Sequence, residues 1–248
     1  MKDCDIFSPE NLPYFCNTNE SYLTAPPRGI VLEFPGLGGG SCLGGVMDMR
    51  PYETPYTKRL AEAGLVIAYT FPGPWSYMNR GAVRICDLIV DALRTKYSLS
   101  ERSPLIVSGG SMGGLGALIY TADSRHAVTA CVAACPRVEA SSTAHSFPWQ
   151  LRGLVSAIAA YDMPLEDALH TISPRHRVSD MPCIPYFIVC DDEDEVCKPE
   201  HITAYVEELR AKTKAEVTYH RLPGCKHGEF TPSVRRALTD FIIHFSQS

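Results

Sequence analysis

Apolar and polar positions along this chain fall into repeating blocks, and the blocks predict its elements. Short apolar runs rich in branched residues predict strands at Gly29 to Phe34, Leu65 to Phe71, Pro104 to Ser108, Ala127 to Ala134, Ile184 to Cys190 and Glu216 to Leu222. Between them the apolar positions recur with the helical period, at Tyr56 to Ala63, Ala82 to Tyr97, Met112 to Ala122, Pro199 to Lys212 and Pro232 to Phe245. In the second of these, Val83, Cys86, Ile89, Val90 and Leu93 share one side. Strand and helix in alternation predict an α/β fold: a mostly parallel central sheet flanked by helices on both faces. Two segments break the rhythm. Residues 1–28 are polar and proline-rich and read as edge strands or a meandering arm. Residues 137–182, with a helix near Trp149 to Tyr161, read as a small helical cap insertion.

Composition narrows this picture without changing it. At 248 residues, 45% hydrophobic and 21% charged, the chain is expected to form a single domain over residues 1–248. A net charge of -5 with dispersed Lys and Arg argues against nucleic acid or an anionic membrane as partner. The N-terminus lacks the basic start and apolar core of a signal peptide, and the longest apolar run, Ala127 to Cys135, is too short for a bilayer. The expectation is a cytoplasmic protein. Its ten cysteines form no CxxC pair, and Cys131, Cys135 and Cys190 lie in strand-like runs, which suits free thiols.

The chemistry is concentrated at Val107-Ser108-Gly109-Gly110-Ser111-Met112-Gly113-Gly114. A strand, a tight turn with serine at its apex and a helix form a GxSxG elbow, in which side chains two residues either side of the serine would collide with neighbouring backbone. A serine hydroxyl needs a base to take its proton, and the base needs an acid to orient it. His227 lies in a glycine-bounded loop after the last strand pattern, whereas His220 sits within a strand and His244 within a helix. The acidic run Asp191 to Glu195 follows the strand before it. Asp191, Asp192, Glu193 and Asp194 are all candidates for the acid. An early strand ends in Pro35-Gly36-Leu37-Gly38-Gly39-Gly40, whose Leu37 N–H could join that of Met112 as an oxyanion hole. Trp75, Tyr77 and Trp149 are candidates for the substrate cleft. Cys225 beside His227 has no second ligand pair at zinc spacing, and the acidic run is no EF-hand loop, so no metal is expected.

On these features the chain resembles an α/β-hydrolase over roughly residues 28–246. Its C-terminal half is most similar to the catalytic domain of the prolyl oligopeptidase family. The resemblance runs through Ser173-Pro174, Met181-Pro182-Cys183-Ile184-Pro185, Asp194-Glu195-Val196 and Lys226-His227-Gly228-Glu229-Phe230. In the wider family the acid stands a short step before a valine, which favours Asp194. The glycine-rich loop resembles the family's oxyanion loop, with Pro35 where a histidine is usual. The resemblance implies a cofactor-free serine hydrolase, Ser111-His227-Asp194, acting on a small ester. None of the chain corresponds to the β-propeller that screens peptides in prolyl oligopeptidases, so a peptidase or amidase acting on short peptides is the alternative. A silent, ligand-binding scaffold is a further one.

Overall fold

The computed structural model describes residues 3–37, 51–142 and 150–247. Its strands are β1 (Cys16–Thr18), β2 (Gly29–Phe34), β3 (Leu65–Thr70), β4 (Leu105–Gly110), β5 (Ala130–Ala134), β6 (Tyr186–Asp191) and β7 (Val217–Leu222). They form one sheet in the order β1-β3-β2-β4-β5-β6-β7. All neighbours are parallel except β1, which runs antiparallel to β3 with Cys16 opposite Thr70. The arm before β2 therefore supplies an edge strand.

Helices cover both faces: α1 (Asp3–Ile6), α2 (Pro55–Glu62), α3 (Arg80–Tyr97), α4 (Met112–Asp123), α5 (Leu151–Ile158), α6 (Leu165–Thr171), α7 (Pro199–Thr213) and α8 (Pro232–Phe245). Alternate residues of each strand feed opposite cores, as the pleat requires. Ile30, Leu32 and Phe34 of β2 join Cys86, Ile89, Leu115, Leu118 and Ile202, from α3, α4 and α7. Val31, between them, joins Leu60 of α2, Val132, Phe187 and Phe241 of α8. Asn79 caps α3 by accepting the Ala82 N–H at 2.9 Å, and Pro199 and Pro232 open α7 and α8, where a missing N–H costs nothing.

The pattern and the structure differ where side chains carry no hydrophobic signal. β4 continues past Ser108 through two glycines, because Gly109 and Gly110 stay in ladder register with Ala133 and Ala134. β5 begins at Ala130 rather than Ala127. Within 137–182 the structure holds α5, the unforeseen α6, and a 3-10 helix at Pro174–Asp180. The eight cysteines with described side chains are all free, and six of them are buried. Among the described residues no helix is long and apolar enough to cross a membrane.

Candidate active site

The turn from β4 to α4 puts Ser111 in a backbone conformation that non-glycine residues rarely adopt, φ 58° and ψ -120°. Its glycines are what let that turn close. A Cβ on Gly109 would lie 2.3 Å from the Gly113 oxygen, and one on Gly113 would lie 2.2 Å from the Phe34 oxygen. The Ser111 N–H donates to Ala134 on β5 at 2.9 Å, so the strained residue is tied to the neighbouring strand.

The carboxyl ends of β6 and β7 bring two further groups to the hydroxyl. Asp194 has a fully buried side chain, and its Oδ1 accepts the N–H groups of Val196 and Cys197, both at 2.7 Å. Its Oδ2 lies 2.7 Å from His227 Nδ1, and His227 Nε2 lies 2.9 Å from Ser111 Oγ. With the carboxylate accepting from Nδ1–H, Nε2 is left to accept from the serine. The structure thus brings Ser111, His227 and Asp194 into one hydrogen-bonded chain. The rival acids are engaged elsewhere: Asp191 accepts the Gly228 N–H at 2.8 Å, and Asp192 pairs with Arg221 at 2.8 Å. Burial pushes the Asp191 carboxyl above its ordinary range.

Ser111 opens into a cavity of ≈ 290 Å³ whose walls include Leu37, Tyr77, Met112, Arg137, Gln150 and His227. Leu37 and Met112 therefore share a space with the hydroxyl, and Met112 heads α4, where N–H groups have no intrahelical acceptor. Tyr77 lines the cavity and is buried. Trp75 does not line it. Its indole N–H donates to the Leu37 carbonyl at 3.1 Å, and its ring packs where Gly153 brings α5 close, so it buttresses the Leu37 turn. Trp75, Tyr77 and Met78 all have positive φ, and backbone strain of this kind gathers at ligand-facing segments. Trp149 lies outside the described residues, as do Gly38 to Gly40.

Sequence reasoning missed Arg137, Gln150 and Val196 in the cavity wall. Arg137 stands just past the carboxyl end of β5, the edge of an α/β sheet where ligands bind, and that position was the available signal. Cys135, Asp194 and His227 bring ligand atoms within 4.8 Å of one another, a spacing a metal could use. A metal would require the thiolate, and burial raises the Cys135 thiol well above its usual range. A larger cavity of ≈ 580 Å³ shares no residue with the Ser111 cavity. Its charged wall is largely paired internally, Arg177 with Asp123 and Asp180, and Asp87 with Tyr120 and Ser124.

Residues 77–248 match the prolyl oligopeptidase family, well over half of the chain. The chain belongs to the prolyl oligopeptidase family. A comparison with curated protein sequences found no match. Among solved structures, a puromycin hydrolase is similar at 16% identity and TM-score 0.68, over 90% of this chain and 34% of that one. An acylaminoacyl peptidase from Pyrococcus horikoshii aligns at 16% identity and TM-score 0.67, over 91% of this chain and 38% of that one. This prolyl oligopeptidase family member thus spans about a third of the length of those relatives. A truncated carbohydrate esterase from gut microbiota aligns at 15% identity and TM-score 0.66, over 91% of this chain and 88% of that one. These likenesses carry the fold, that of the α/β-hydrolases.

Proposed function

We propose that this protein is a serine hydrolase that cleaves a small ester by acyl transfer. The observation that carries the reading is the hydrogen-bonded chain from Asp194 through His227 to Ser111 at the mouth of a cavity. His227 takes the serine proton as Oγ attacks the carbonyl carbon, and Asp194 holds the ring in the tautomer that leaves Nε2 free to accept. The tetrahedral oxyanion is received by the N–H groups of Leu37 and Met112, fixed donors that need no reorganisation as charge develops. His227 then gives its proton to the departing alkoxide. Water, deprotonated by the same nitrogen, attacks the acyl-enzyme carbonyl and releases the acid and the free serine. No step requires a metal or an organic cofactor.

An ester is favoured over a peptide because this chain covers 88% of the carbohydrate esterase, against 38% of the acylaminoacyl peptidase and 34% of the puromycin hydrolase. The acylaminoacyl peptidase and the puromycin hydrolase support a second reading, cleavage of short peptides or amides by the same groups. Intact-mass labelling with a small fluorophosphonate tests both. The expected result is a single adduct on Ser111 that is absent from Ser111→Ala, followed by turnover of aryl esters. Folded protein that stays unlabelled, with no Ser111-dependent turnover, sinks the hydrolase reading in favour of a binding scaffold. Hydrolysis of acyl-amino-acid amides but not of esters selects the second reading.

A further inference from the structure

Two polar side chains in the wall of the Ser111 cavity have hydrogen-bonding capacity that the described residues do not meet. Arg137 is 4% exposed, and among the described residues no carboxylate lies within ion-pair distance of it. Its guanidinium makes one long contact, from Nη1 to Ser142 Oγ at 3.4 Å. Glu139, its near neighbour in sequence, is spent on the Ser141 and Ser173 hydroxyls and on His176. Cys197, within reach of the Arg137 field, supplies no counter-charge, because burial pushes its thiol up to about 12. Gln150 is 7% exposed, lines the same cavity and has a buried Oε1 with no partner among the described residues.

A buried guanidinium without a counter-charge is costly to keep, and none of the described residues repays that cost. By contrast Arg177, also shielded, is held between Asp123 and Asp180. The planar fork of an arginine matches a carboxylate in two parallel hydrogen bonds, and a side-chain amide can turn to donate a third. The whole chain carries a net charge of -5, so any attraction for an acidic substrate must come from a local group such as this one.

We propose that Arg137 is a specificity-determining residue that receives a carboxylate of the substrate, with Gln150 beside it, so that the preferred esters are small and acidic. This rests on the serine-hydrolase reading above for its chemistry, but not for the binding of the carboxylate. A cavity of ≈ 290 Å³ has room for a short dicarboxylic half-ester.

The test uses two ester pairs that differ by one carboxylate: monomethyl glutarate against methyl pentanoate on the acyl side, and 3-acetoxypropanoate against propyl acetate on the alcohol side. Each is titrated calorimetrically into the full chain carrying Ser111→Ala, which binds without turnover. The acidic member of at least one pair is expected to bind about tenfold tighter or better. Arg137→Gln on that background should bring the ratio close to one, with Arg137→Lys keeping part of it. Equal binding within both pairs overturns the inference without recourse to any Arg137 variant, should Arg137→Gln fail to fold. A preference that survives in folded Arg137→Gln overturns it too. Turnover of the same esters by the unaltered chain is read separately. Acidic preference without turnover supports the carboxylate site and defeats the ester reading, while turnover without preference does the reverse.

Discussion

Ser111 and His227 stand within 2.9 Å of each other, yet forces of different kinds hold them there. The serine turn is held by exclusion: backbone from β2 and α4 presses so close that only hydrogen fits at Gly109 and Gly113. The histidine loop is held by polar ties. Asp191 accepts from Gly228, Glu229 accepts from the Lys226 N–H, the Glu193 N–H donates to Cys225, and the Asp194 carboxylate holds the ring. A Cβ on Gly224 or Gly228 would meet nothing within 4 Å, although both have positive φ. Packing leaves the nucleophile no alternative geometry. The base keeps its geometry only while its hydrogen bonds last.

That contrast can be broken most forcefully at Gly113. An added methyl group would sit 2.2 Å from the Phe34 oxygen, so Gly113→Ala should cost about 3 kcal/mol or more and give largely insoluble or molten protein. Near-native denaturation curves for Gly113→Ala would show that exclusion is not what fixes the turn. A smaller effect is expected at the histidine loop, where Asp191→Ala removes the acceptor for Gly228. Fluorophosphonate labelling of Ser111 should slow about tenfold, while the melting temperature falls by only a few degrees. A labelling rate equal to wild type would mean that Asp194 alone positions the ring.

The smallest effect concerns Glu33, a polar group beneath the packed half, in register with Ser108 across β2 and β4. Burial is the main cause that lifts its carboxyl to about 7, although Tyr52 donates a hydrogen bond to it at 3.0 Å. Because the folded chain holds this proton more tightly than the unfolded chain, stability is greatest below the ordinary carboxyl range. It is lost as pH rises through that range to about 7. Glu33→Gln should flatten that slope, a change on the order of 1 kcal/mol, read from urea midpoints at roughly pH 5 and pH 8. An unchanged slope would place the titrating group elsewhere.

The sheet was legible because strands buried on both faces leave near-continuous apolar runs, and β2 was read to its ends. The elbow was legible because glycine spacing records a steric need. The acid was legible only as a preference: the family pattern favoured Asp194, but Asp191 and Asp192 stand close by in sequence and the hydrogen bonds separate their tasks. Arg137 and Gln150 escaped for a related reason. Arg137 follows β5 and Gln150 precedes α5, and that both line one cavity is a matter of the fold, which leaves no periodic trace. Helix α6 hid behind Pro164, its N-cap, because proline also marks loops.

Asn19 shows what the segment before Tyr77 contributes. Fully buried, it donates to the carbonyls of Thr57 and Leu65 and accepts from the Ile67 N–H, locking the arm after β1 onto α2 and β3. The family match begins at Tyr77, but three of the seven strands, two of them parallel neighbours inside the sheet, precede it. A fragment cut to the matched boundary would carry serine, acid and base and yet expose the flank of β4, with neither Leu37 nor the Phe34 carbonyl to shape the elbow. In this chain the edge of the family match is a line drawn through the middle of one sheet.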